Sequence, residues 1–340
     1  MIVIDHVYIL VGLMFAAFAT LSLFDRANPK RVFNAAFWGL IAVSMLAGRF
    51  LGDLGNGLLV VALVAVGGFG LLGRGDPPTT TVEERRESAA RRGNWLFVPA
   101  LIIPATAVIG TLAYTDIDLS PYPGLGALQE AVLLPAGGAL RMVIAEKQHT
   151  LISLALGCVI ALAVAMAWLR PPVLAPLQEG RRLMDSIGWA AVLPQMLACL
   201  GAVFLAAKVG DVVGELVAGA VPLDSRFAAV AAYCVGMALF TIIMGNAFAA
   251  FPVMTAAIGL PFVIQKFGGD AAVVGAIGML AGFCGTLMTP MAANFNVVPA
   301  NLLELPDRNA PLNGVIRAQI PTALPLLVAN ILLMYFLAFR

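Results

Sequence analysis

Polar positions in this chain are short punctuation between long apolar blocks. An α-helix rises about 1.5 Å per residue, so roughly 20 apolar residues cross the hydrocarbon core of a bilayer. Blocks near that length predict spans at 7–24, 32–47, 57–73, 95–114, 150–169, 190–207 and 320–339, and further apolar runs at 227–244, 247–265 and 271–288, the first two being either two helices with a turn at Gly245-Asn246 or a span plus a re-entrant half-helix. Strong alternation of period two is absent, which argues against a β-barrel. Arg26, Lys30 and Arg31 follow the first block, and Arg74, Arg85, Arg86, Arg91 and Arg92 sit in the polar stretch 74–94. The positive-inside rule puts both clusters in the cytoplasm and the N-terminus outside. Arg181 and Arg182, after the fifth block, agree with that count.

Four segments fit the pattern less simply. Residues 77–93 read either as a short charged helix, with Glu83 and Glu84 near Arg86 and Glu87 near Arg91, or as a solvated loop. Residues 125–144 are interrupted by Glu130, by Pro135 to Gly138 and by Arg141. They read as a re-entrant hairpin turning at 135–138 or as a surface segment. In the first case Glu130 and Arg141 are candidate functional charges. Residues 176–189 suit an interfacial helix that offers Leu177, Leu183, Met184 and Ile187 on one face. Residues 208–226 read as a mixed-charge outer loop or short surface helix.

Composition sharpens this picture. Of 340 residues, 61% are hydrophobic and only 11% charged, where a soluble domain carries about a quarter. The expectation is an all-α polytopic membrane protein with about nine or ten membrane-inserted helical elements. It is read as a single permease domain over 1–340, with peripheral spans at 1–73, a cytoplasmic connector at 74–94 and a transport core at 95–340. The bacterial cytoplasmic membrane is the expected location. A net charge of +1 offers no basic face for nucleic acid. Cys158, Cys199, Cys234 and Cys284 each sit alone in an apolar run and read as small core residues. His6 and His149 lack a second ligand at useful spacing, so no metal site is expected from them. The start Met-Ile-Val-Ile-Asp-His has no basic n-region, which favours a retained first helix over a cleaved signal.

The stretch 227–303 carries the candidate chemistry. It is apolar almost throughout, its only charges being Lys266 and Asp270, yet it is broken twice. Gly245-Asn246 interrupts one run, and Gly285 to Pro290, followed by Ala292 to Asn296, ends another. A helix break frees backbone donors and acceptors, and in hydrocarbon each unpaired group costs on the order of several kcal/mol. Such breaks, carrying Gly, Pro, Thr and Asn, point to a transporter's midplane site. Kinked packing helices are the plainer alternative.

Two runs give the chain a family likeness: Gly245 to Thr255 (GNAFAAFPVMT) and Gly282 to Asn296 (GFCGTLMTPMAANFN), continued by Leu302 to Asp307 and Gln319 to Pro325. They resemble a bacterial membrane family first described as a domain of unknown function and identified as one subunit of a two-component 5-oxoproline (pyroglutamate) transporter. The resemblance implies a second, shorter membrane subunit as partner. The arrangement of breaks is also similar, at the level of fold, to the ion-transporter superfamily of carboxylate permeases.

The residues then take candidate roles. A small organic anion needs a positive potential, and the stretch has no arginine, so helix N-termini after Gly245-Asn246 and near Ala292 to Asn294 would supply it. Asn246, Asn294 and Asn296 can each donate and accept, which suits a lactam edge. Thr286 and Thr289 can meet the carboxylate or, with freed carbonyls, a coupling sodium ion; a proton is the other coupling ion considered. Gly245 and Gly285 allow close backbone approach. Thr255 reads as bonding its own helix carbonyl, and Gln195 as packing glue between helices. An intramembrane enzyme would need a Ser-His, paired-Asp or HExxH set, and a channel a charge ring or selectivity loop; neither pattern is in the spans. No P-loop is present. The remaining rivals are an assembly subunit with no solute site of its own and a cation-coupled permease for another carboxylate. A homo-oligomer is the alternative to the two-subunit arrangement.

Overall fold

The computed structural model describes residues 1–75, 80–115, 126, 129–220, 224–303 and 311–339. The protein is an all-α polytopic membrane protein. Among the described residues, eight helices are long and apolar enough to cross a membrane, and Ala271–Leu287 is a shorter apolar helix. Those residues hold no strand, only one isolated bridge between Ile2 and Ile144. The chain divides into two compact units, Met1–Asp185 and Ser186–Arg340, with the division inside the stretch 95–340.

In the first unit, α1 (Ile4–Phe24) packs along α2 (Arg31–Gly68). Nominally one helix of 38 residues, α2 is broken at Gly52, whose φ of +62° only glycine adopts without strain. Asn56 closes the break by donating to the carbonyls of Gly48 and Gly52, at 2.8 and 2.9 Å. Asn34, near the start of α2, exchanges two hydrogen bonds with Gly73, beyond its end, at 2.7 and 2.9 Å. The two halves therefore fold back on each other, and the three spans expected in 7–73 are each present. Helix α3 (Val82–Arg92) answers the question of 77–93 in favour of a charged helix. Thr81 and Glu84 form its capping box, and Glu87 pairs with Arg91 at 3.3 Å.

Helices α4 (Val98–Ala113) and α6 (His149–Leu169) pack through small residues, Gly110 facing Ser153 and Gly157 facing the Ile103 backbone. Between them α5 (Leu134–Val143) runs straight through 135–138, so the hairpin turn expected there does not form. Residues 116–125, the opening of that segment, lie outside the described residues. A π-helical turn, Gln129–Leu133, runs directly into α5, and Pro135, with no N–H to give, falls where the π pitch changes to α. Arg141 donates from Nε to the Ala113 carbonyl and lies over the Tyr114 ring at 5.5 Å.

Helix α7 (Ala175–Ile187) corrects the sequence expectation most sharply. Its best-buried residues are not the aliphatics but Arg181 and Asp185, one turn apart on one face. Arg181 pairs with Asp25 at 3.1 Å and donates to the Leu21 carbonyl at 3.0 Å. One oxygen of Asp185 accepts from Asn34 at 2.9 Å and from the Trp38 indole at 2.7 Å. A buried charge survives only when paired and hydrogen-bonded, and here the ends of α1 and α2 provide the partners.

The second unit is built on α10 (Arg226–Met244) and α11 (Ala247–Met254), the latter continuing as a π-helical stretch, Thr255–Lys266. Tyr233 lies against Gly259 and shares a hydrogen bond with Thr255, so the two rods are antiparallel and Gly245-Asn246 is the turn between them. Helix α12 (Ala271–Leu287) runs parallel to α10. Gly278 meets Tyr233, Gly282 meets Met237 and Thr241, and Gly285 meets the Ala238 backbone. This is close packing through small residues, as membrane helices use. A π turn (Ala293–Val297) leads into α13 (Val298–Leu302), and α14 (Pro311–Leu337) returns along α12 until the Ala338 carbonyl accepts from Asp270 N–H at 2.7 Å.

Helices α8 (Leu193–Ala206) and α9 (Val209–Ala220) lie along α11 and its π-helical continuation. Pro252 deprives the Phe248 carbonyl, one turn earlier, of its helical N–H. Gly201 brings its backbone against that carbonyl, and Gly214 lies against the backbone of Ala257 in the π-helical stretch. Of the two readings of 208–226, loop or short helix, the helix is the one found, and α9 packs on the side of a span. Of the four cysteines, Cys234 and Cys284 are buried as expected, whereas Cys158 and Cys199 are exposed on their helices.

Candidate functional site

The two breaks meet. At the first, Gly245 takes φ +77° and closes α10 by donating to the Thr241 carbonyl at 2.7 Å. Asn246 then caps α11, its side-chain oxygen accepting from Phe248 N–H at 2.7 Å. At the second, Thr289 donates to the Ile242 carbonyl at 2.8 Å, which ties the segment after α12 to the end of α10. The Asn296 amide donates to the carbonyls of both Thr286 and Thr289, at 2.9 and 2.6 Å. Two helix C-termini are therefore closed by this chain's own donors.

Beside these closures lies a small hollow of about 20 Å³. Its walls come from the end of α10 (Gly245), the first turn of α11 (Asn246 to Phe248), the last turns of α12 (Phe283, Thr286), the turn at Ala292 and Ala293, and Leu193 and Leu197 of α8. Phe283 sits between Phe248 and Phe295, with ring centroids 5.9 Å from each. A volume of this size holds one water-sized molecule.

The sequence-predicted residues separate accordingly. Gly245, Asn246 and Thr286 line the hollow. The Thr286 hydroxyl donates to its own helix at the Phe283 carbonyl, 2.6 Å away. Thr289 and Asn296 stand behind the wall as the bracket that holds the break, 1% and 0% exposed. Gly285 turns its bare side to the Ala238 backbone, so its close approach serves helix packing. The Asn294 side chain lies outside the described residues. Thr255 bonds Tyr233 at 2.9 Å, across to α10 and not along its own helix. Sequence reading did not foresee the phenylalanine trio, although Phe248, Phe283 and Phe295 flank the two breaks. It also did not foresee Gln319, which donates to the Phe295 carbonyl at 3.1 Å.

The polar balance at the breaks is uneven. In the first turn of α11, Phe248 N–H is met by the Asn246 side chain and Ala250 N–H by the Asn246 carbonyl, but the N–H groups of Ala247 and Ala249 meet no acceptor among the described residues. Asn296 Oδ1 and Gln319 Oε1 are buried acceptors with no donor among the described residues. The described residues hold no group of three or more His, Cys, Asp or Glu placed to bind a metal. The carbonyls of Thr286 and Thr289, which a sodium ion there would use, already accept from Asn296.

No curated protein and no solved structure matches the chain. The family model described as "Protein of unknown function (DUF979)" matches residues 5–339, so the chain belongs to that uncharacterised family.

Proposed function

We propose that the protein is a subunit of a secondary active transporter for a small organic anion, with 5-oxoproline as the first candidate. The observation that carries this reading is the convergence of both helix breaks on one hollow, walled by the first turn of α11 and by the turn that opens Ala293–Val297. Helix N-termini attract anions, each equivalent to roughly half a positive charge. A carboxylate entering here takes the N–H groups of Ala247, Phe248 and Ala249, displacing the Asn246 side-chain oxygen. Asn246 is then free to turn its amide toward the solute.

The hollow is several times too small for the whole anion, so the Phe248, Phe283 and Phe295 rings must part to admit it. The α10 rod of 19 residues is about 28 Å long, against a hydrocarbon core of about 30 Å. Its charged end is marked by Arg226, Lys266 and Asp270. The rod lengths therefore favour a site close to the opposite face over one at the midplane. The buried acceptors Asn296 Oδ1 and Gln319 Oε1 suit a coupling cation, Na⁺ or H⁺; sodium at Thr286 and Thr289 would first have to displace the Asn296 amide. We place the chain in a bacterial cytoplasmic membrane, N-terminus outside, because Arg26, Lys30, Arg31, Arg74 and Arg182 lie at the Asp25–Arg181 end, against Arg49, Arg141 and Lys147 toward the N-terminal end. Its partner in this reading is the second, shorter membrane subunit.

A second reading, an assembly subunit with no solute site, has one observation in its favour: Asn246, Thr286, Thr289 and Asn296 all have a bond to backbone in the closed form. Uptake of labelled 5-oxoproline separates the two. Cells expressing both subunits should accumulate it, and Asn246→Ala should abolish accumulation at normal expression. Accumulation that needs neither subunit rejects the solute, and a wild-type rate in Asn246→Ala rejects the site.

A further inference from the structure

Helix α9 carries charges where a membrane leaves no room for them. Gly210 lies against Val253 and Ala256, and Gly214 against Ala257. Those residues are the middle of the span Ala247–Lys266, so this part of α9 is held at mid-span depth. With the two glycines turned inward, Asp211, Val212, Glu215 and Leu216 face outward, and all four are exposed. Lys208, also exposed, stands just before the helix in a left-handed conformation, φ +53°. Among the described residues, the side chains of Lys208, Asp211 and Glu215 make no hydrogen bond or ion pair. Lipid tails offer such groups nothing, and charges at this depth occur only against protein or a water-filled space.

We propose that the outer face of α9 is the docking surface for a second membrane protein that carries a lysine or arginine inside one of its own spans. Charge selects this occupant. Two carboxylates against one ammonium leave the stripe with one negative charge, which a single basic side chain neutralises. Val212 and Leu216, 59% and 69% exposed, supply the apolar contact around the pair. A second copy of this chain is a poorer occupant. An axis along the membrane normal sets each carboxylate level with its own equivalent and doubles the negative charge. The inference uses only the depth and chemistry of α9, so it stands apart from the transport reading and from any solute.

The test places a photo-reactive benzoylphenylalanine at Val212 or Leu216 of the full chain, expressed from its own locus in intact cells. The expected product is an adduct with one other membrane protein. Reversing a basic residue within that protein's span to glutamate should remove the adduct, and Asp211→Lys in this chain should restore it. Asp211→Asn with Glu215→Gln should cut the adduct more than roughly tenfold. If that double variant fails to reach the membrane, the charge reversal on the other protein decides. Four results overturn the proposal: an adduct indifferent to charge reversal, one at twice this chain's mass, or no protein adduct with a nitroxide at Val212 relaxed either by oxygen, meaning lipid, or by a water-soluble nickel chelate, meaning a wet groove.

Discussion

Asn296→Ala removes the clamp that holds the second break. The Asn296 amide is fully buried and donates two hydrogen bonds, at 2.9 and 2.6 Å, to the carbonyls of Thr286 and Thr289. An intramolecular hydrogen bond contributes only about 1 kcal/mol net, but a buried carbonyl left without a donor costs about 1–3 kcal/mol. The Thr286 carbonyl is left with no donor, while that of Thr289 keeps a long bond from Ala292 N–H at 3.4 Å, so one stranded carbonyl and one lost bond set the expected loss at roughly 2–4 kcal/mol. At about 2–4 °C per kcal/mol for a unit of this size, purified protein should melt roughly 4–16 °C lower. Asn296→Asp, nearly the same shape, should be worse, because it turns an oxygen toward two oxygens. Thr289→Val cuts the same bracket at the Ile242 carbonyl, so the double variant should fall short of additivity by about 0.5–3 kcal/mol. The assay is thermal unfolding in detergent, followed by tryptophan emission. An Asn296→Ala protein that melts within about 1 °C of wild type would refute this account of the break.

Two further outcomes follow from the packing. A methyl group at Gly285 would stand 3.0 Å from Ala238 Cα and closer still to its carbonyl oxygen, so Gly285→Ala should force α10 and α12 apart and cost about 1–3 kcal/mol; Gly57→Ala, with open space around it, should instead gain up to about 1 kcal/mol from helix propensity, and the same melting assay checks both. Arg181→Met strands the buried carboxylate of Asp25 and should cost about 3–5 kcal/mol, most of it recovered on adding Asp25→Asn, measured as folded yield in the membrane and as melting temperature.

Both breaks were legible in the sequence because their residues act locally. Gly245 is wanted at a positive φ and Asn246 at a helix N-cap wherever such a pair falls. What the breaks do depends on distant residues, and there the sequence was silent. Nothing local says that Asn296 reaches back to Thr286, or that Gly285 serves Ala238 and not a ligand. In the sequence Arg181 counts only as a cytoplasmic charge and Asp185 carries no signal; only the fold brings Asp25, Asn34 and Trp38 to them. Charge density made 208–226 look like an outer loop or a surface helix. The contrary signal was present: Gly210 and Gly214 are spaced as small residues are spaced on packed membrane helices.

The hydrogen-bond accounting of the helix ends alone favours an anion over a cation there, and leaves the side-chain acceptors Asn296 Oδ1 and Gln319 Oε1 as the places for a cation. Four helix termini meet there, two with carbonyls outward and two with N–H groups outward. The carbonyl ends are closed: Thr241 by Gly245 N–H, Ile242 by the Thr289 hydroxyl, Thr286 and Thr289 by Asn296. A cation coming to those carbonyls must first break bonds that hold the fold together. The first turn of α11 is closed by one movable side chain, Asn246, with two N–H groups beside it still open. An acceptor group arriving there displaces one amide oxygen and leaves the bracket intact. Admitting it requires the three phenylalanine rings to shift while both breaks stay as they are, so the Asn296 clamp and the Phe283 gate should be separable. Variants at Asn296 act on stability first, and Phe283→Ala should leave the melting point less changed than Asn296→Ala while, under the proposed transport function, altering which anions compete for uptake.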